Sequence, residues 1–89
     1  MDLYVVAVKD NENGFLEQYL IHAFKEDVAL KSGVYRYVME HIGSGHFEQE
    51  DLDKIRNVLE CADSKQVEEY MLDWEMDLSC VKIYDLTEF

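Results

Sequence analysis

Few residues in this 89-residue chain could ligate a metal or attack a substrate: His22, His41, His46, Cys61, Cys80 and the carboxylates. His41 and His46 stand five apart across Gly43-Ser44-Gly45, and His22 is remote. The CxxC and HExxH spacings, which set two ligands on one turn or helix face, do not occur. Asp51-Leu52-Asp53 places two acids at alternate positions, but Lys54-Ile55-Arg56 follows where an EF-hand needs a third oxygen ligand and a glycine. No metal or cofactor is expected. Ser32-Gly33, Ser44-Gly45 and Ser79-Cys80 lack a nucleophile-elbow context, and neither cysteine has a flanking base to activate it. Both cysteines read as buried, inert thiols, Cys61 on a helix beside Leu59 and Ala62, Cys80 in a strand. Carboxylate pairs arise on any acidic helix and so do not mark acid–base catalysis. A non-enzymatic protein is expected.

The chemistry that remains is charge. Between Glu40 and Asp77 there are 12 acids and only Lys54, Arg56 and Lys65, which is −9 of the formal −12 of the whole chain. The same stretch keeps a helix-period apolar stripe, so it reads as folded helices with a negative outer face. Carboxylates three or four residues apart on a helix stand ~5–6 Å from one another. Duplex DNA carries a charge every ~1.7 Å of axis, counting both strands. Two such helices side by side would offer a comparable charge density, a rigid substitute for the ligand of a nucleic-acid-binding protein. The candidate partner-binding residues are Glu48, Glu50, Asp51, Asp53 and Glu60 of the first such helix and Glu68, Glu69 and Asp73 of the second. Tyr35 joins them as an aromatic anchor because it lies off its own helix's apolar stripe. Lys54, Arg56 and Lys65 interrupt the face, and must point elsewhere or pair with acids if it is to work.

The net charge also limits the partners. A chain at −12 repels DNA, RNA and anionic membrane, so the expected partner is a basic nucleic-acid-binding protein and not nucleic acid or lipid. A second reading makes the charge a solubility device on an assembly subunit that homodimerises through its aromatics and a sheet edge.

The elements that must hold these residues follow from patterning. Leu3–Val8 is apolar on both faces and predicts an inner strand covered on both sides, or on one side and part of the other. Asp10-Asn11-Glu12-Asn13-Gly14 is turn chemistry, and 15–22 returns as a strand, although its pattern also suits a helix. Asp27 is the expected N-cap of a helix with Leu30, Val34, Tyr37, Val38 and Ile42 on its buried stripe. Gly33 inside that helix marks a close contact with another backbone or a kink, and Gly43-Ser44-Gly45 ends it. Glu48 opens a second helix, with Phe47 and Leu52 as a hydrophobic staple and Leu52, Ile55, Val58, Leu59 and Ala62 inward. Asp63 and Gln66 resemble a capping box for a third, with Val67, Tyr70, Met71 and Trp74 inward. A strand over 79–86 closes the chain, Val81 and Ile83 on one face, Cys80, Tyr84 and Leu86 on the other.

The result is one α+β domain over 1–89, of order β-β-α-α-α-β, with three helices on one face of a small antiparallel sheet. Two thiols, no basic leader pattern and no apolar run of membrane-spanning length suggest a cytoplasmic protein. In kind the chain resembles the small acidic proteins, anti-CRISPR and other anti-defence types among them, that phages and mobile elements make to block host nucleic-acid enzymes. The likeness is one of size, charge and compactness, without a shared motif.

Overall fold

The computed structural model describes residues 1–43 and 47–83. Six elements follow in the order β1 (Asp2–Asp10), β2 (Phe15–Ala23), α1 (Glu26–Glu40), α2 (Gln49–Cys61), α3 (Ser64–Leu72) and β3 (Met76–Ile83). The strands form one antiparallel sheet in the order β2-β1-β3, with Asp10 opposite Phe15 on one side and Met76 on the other. The 15–22 segment is strand, paired residue for residue with β1.

All three helices lie to one side of the sheet. α1 packs on all three strands, α3 on β3 and α1, and α2 on α1. Tyr4, Val6 and Val8 of β1 point into this side and are buried, as are Tyr19 and Met76 from the neighbouring strands. They meet Leu30, Val34, Tyr37 and Val38 of α1, Leu52, Ile55 and Leu59 of α2, and Val67 and Met71 of α3, the inward stripes read from the sequence. Phe47 is fully buried, its ring 5.1 Å from that of Trp74 and edge-on to Tyr37.

The seat of α1 on the sheet is Gly33. A Cβ built there would fall 2.7 Å from the Val6 Cβ and closer still to its Cγ1. The residue is a contact glycine, and what it admits is the base of the Val6 side chain.

The expected capping box opens α3, and a second one, not read from the sequence, opens α2. Asp63 accepts the Gln66 N–H at 2.9 Å while Gln66 accepts the Asp63 N–H at 3.0 Å, and Asp51 accepts the Glu48 N–H at 3.0 Å. Gly43 takes a positive φ of 80°, the left-handed stop expected after α1. Ser44, Gly45, His46, Tyr84 and Leu86 lie outside the described residues.

Four expectations are corrected. β1 is central, but only one of its faces is covered. On the other, Leu3, Val5 and Ala7 are half-buried, among the described residues by their neighbours on β2 and β3, because the connection from β2 to β3 carries all three helices to one side. α1 begins two residues earlier than an Asp27 cap would place it. Its N-cap is Lys25, without a side-chain bond, and the Asp27 carboxylate instead takes the Ser64 hydroxyl of α3. β3 begins at Met76 rather than Ser79, since Met76 and Leu78 continue the inward alternation past Asp77. Cys61 is exposed, because it stands two residues, or about 200° of helix, beyond the buried Leu59. Cys80 faces the helices, half-buried, its thiol 3.9 Å from the Glu26 carbonyl.

Gly33→Ala should lower stability to chemical denaturation by about 1–3 kcal/mol, because overpacking against Val6 outweighs the gain of about 1 kcal/mol in helix propensity. Val6→Ala in the same chain should return part of the loss, which a helix-local effect would not do.

Candidate functional surface

The topology brings one end of each of the six elements together. β1 turns into β2 at the end where α1 finishes, where α2 starts, and where α3 passes into β3. The contacts tie them side by side. The Asn11 N–H donates to the Glu75 carbonyl at 2.9 Å, and the Asn11 amide donates to Asp77 at 2.7 Å. The Tyr19 hydroxyl donates to Glu40 at 2.8 Å, and His41 lies 3.9 Å from Glu17 and 4.2 Å, ring to ring, from Tyr37.

At the centre is Asp10, a fully buried carboxylate. It accepts the backbone N–H of Glu12 (3.0 Å) and of Asn13 (3.1 Å), the Asn13 side-chain amide (3.0 Å) and the Tyr37 hydroxyl (3.3 Å). These bonds hold the β1–β2 turn against the last turns of α1. The sequence marks Asp10 as a turn residue, but nothing local shows that α1 would close over it.

Around it the surface is acidic. Glu12, Glu17, Glu40, Glu48, Glu50, Asp51, Asp73, Glu75 and Asp77 gather at this end against Lys9, Arg36 and Lys54, a formal −6. At the far end of the strands, among the described residues, Asp2, Glu26, Asp27, Glu60, Asp63 and Glu68 stand with Lys25, Lys31, Lys65 and Lys82, a formal −2. Strands of nine residues put roughly 30 Å between the two ends. Screening in physiological salt acts over about 8 Å, so a ligand near one end responds little to the other.

Two local features are unfavourable to the fold and increase the negative field. The last turn of α1 holds Glu40 and no basic residue, although a helix C-terminus prefers cations. Glu75 has φ of 60°, a conformation that costs a non-glycine residue about 1–2 kcal/mol.

The candidate residues fall into separate groups. Glu48, Glu50, Asp51 and Asp73 belong to the acidic end, although Glu48 and Asp51 are also bound in the α2 capping box and Glu50 pairs with Lys54 at 3.5 Å. Asp53 and Glu60 lie along α2 on either side of Arg56. Glu69 is exposed near the middle of α3. Glu68 is near Cys80 and Glu26, whose joint negative charge, after burial, raises the Cys80 thiol above its ordinary value. α2 and α3 each pack on α1, and the carboxylates that gather most densely lie across element ends rather than along two parallel helix faces.

Tyr35 is half-buried and engaged. Its hydroxyl accepts from Arg56 at 2.9 Å, and the guanidinium lies 5.6 Å from its ring centre. Tyr35 therefore turns Arg56 toward α1, and Lys54 pairs with Glu50, so two of the three interrupting bases are accounted for. An open groove between α2 and α3, lined by Asn57, Val58, Cys61, Ala62, Gln66 and Tyr70, carries no carboxylate. Among the described residues no group of three metal-ligating side chains converges, and no helix is long and apolar enough to cross a membrane.

No protein-family model matches the chain, and neither a curated protein nor a solved structure is similar to it.

The two tyrosines that close the acidic end set an alkaline limit on stability. Burial, then the charge and hydrogen bond of Asp10, push the Tyr37 phenol far above its ordinary value of 10.0. Burial, then the bond to Glu40, do the same at Tyr19. The folded state therefore holds both protons more tightly than the unfolded chain does. That contribution is complete below about pH 10 and is lost as pH rises beyond it. Denaturation midpoints should fall above about pH 10, and Tyr37→Phe and Tyr19→Phe should each make the fall shallower.

Proposed function

We propose that this chain is a non-enzymatic acidic protein that binds a basic nucleic-acid-binding protein and competes with nucleic acid for it. The observation that supports this reading is the gathering of nine carboxylates around the buried Asp10, at the end where β1–β2, α1, α2 and α3–β3 meet. A cationic groove built for phosphates would meet there a fixed array of carboxylates on packed backbone, little of whose ordering is left to be done on binding. Long-range attraction would speed encounter, and a few desolvated charge pairs would hold the complex. Blocking such a protein is inhibition or regulation, with no reaction required.

Glu48, Glu50, Asp51 and Asp73 form the contact in this reading, joined by Glu12, Glu75 and Asp77. Asp53 and Glu69 lie on its flank, and Glu60 and Glu68 outside it. Tyr35 acts indirectly, by holding Arg56 aside.

The test is capture from a host lysate on the immobilised chain, followed by elution with excess duplex DNA. Basic nucleic-acid-binding proteins should be released by the duplex, and separately by raising salt. Reversing Glu50, Glu75 and Asp77 to lysine, which spares the capping box, should abolish their retention while leaving the fold intact by circular dichroism. Retention indifferent to duplex, salt and the triple reversal would refute the reading.

A further inference from the structure

The second surface on the molecule is the sheet face that, among the described residues, no helix covers. In its middle Val5 stands in register between Leu20 and Val81, the outer two 63% and 62% exposed. Leu3 and Ile83, with His22 beside Leu3, continue the face toward the far end, and Gln18, Ala7 and Ser79 separate its middle from Leu16, 61% exposed, near the turn. The charged groups on the face are Lys9 and Asp77, opposite each other across β1 and β3. The face is thus neutral in a chain whose formal charge is −12.

We infer that this face is the contact between two copies of the chain, packed sheet on sheet. A basic partner gains no attraction from a neutral patch, whereas another copy, repelled elsewhere, meets no net charge here. Three strands ~4.8 Å apart and eight paired residues long span on the order of 400 Å² in plan. Apposing two such faces removes about 800 Å² or more, below the range of stable specific interfaces, so the association is weak and transient. Charge sets its orientation. A two-fold axis across the strands lays β2 over β2 and runs the copies in opposite directions, holding the acidic ends apart. An axis along the strands would bring those ends together. The favoured pair presents an acidic end at each extremity and has two equivalent sites. The inference stands on the sheet face and does not require the proposed partner.

The salt response separates the two contacts. Self-association should strengthen as salt screens repulsion between copies, whereas capture of a basic partner weakens. Sedimentation equilibrium of the full chain from roughly 10 µM to 1 mM, at about 0.05 and 0.5 M salt, should show the mass rising from 10.5 kDa toward twice that value. The rise should be greater at high salt. Leu20→Glu and Val81→Glu, both at exposed positions, should stay single at every concentration with an unchanged melting curve. Amide shifts of the unaltered chain on dilution, which need no variant, should centre on Val5, Leu20 and Val81. A constant single-chain mass at high salt, a pair that survives Leu20→Glu, or dilution shifts confined to the helices would each overturn the inference. So would movement of these residues only when a basic protein is added.

Discussion

The close approach of Gly33 to Val6 fixes the arrangement on which the rest depends. A helix can lie this near a central strand only where one residue lacks a side chain, and Gly33 supplies that gap midway along α1. With α1 seated there, its C-terminus falls over the β1–β2 turn, where Tyr37 reaches Asp10 and Tyr19 reaches Glu40. α2 then starts at the same end, and α3 hands over to β3 there. The concentration of charge and the bare sheet face are both consequences of placing α1 across this one side.

Charge gathered in this way works against the fold that carries it. Like charges near one another raise the free energy of the compact state. The chain adds Glu40 at a helix terminus that prefers a cation, and Glu75 at a backbone conformation that prefers glycine. What offsets these costs is local: the bonded and buried Asp10, the capping box that uses Asp51, and the Phe47–Trp74 contact beneath the surface. A solubility device could be spread anywhere on the surface and would not need supports of this kind.

Elements and inward stripes were legible in the sequence because their signals are local. Asp63 and Gln66 announce their capping box, Leu52–Ile55–Leu59 its helix face, and the Asp-Asn-Glu-Asn-Gly run its turn. What depends on chain reversals was not legible. The acids of 40–77 read as two helix faces because their neighbours in the chain are close. Glu12 and Glu17, far away in sequence, complete the acidic end, whereas Glu68 leaves it. Leu3–Val8 looks two-sided in composition, and only the common side of all three helices decides which half stays open. Cys61 shows the same limit at smaller scale: an apolar neighbour in sequence says little about a position 200° around the helix.

Location of charge, as opposed to its amount, is the central claim, and a charge-matched pair of variants isolates it. One carries Glu12→Gln, Glu50→Gln and Glu75→Gln at the acidic end; the other carries Glu26→Gln, Glu60→Gln and Glu68→Gln toward the opposite end. Both have the same formal charge, and affinity for the captured basic partner is measured at one salt concentration. The account predicts a loss of about tenfold or more, some 1.4 kcal/mol, for the first and little change for the second. Equal losses in the two would contradict it, leaving net charge as the whole explanation.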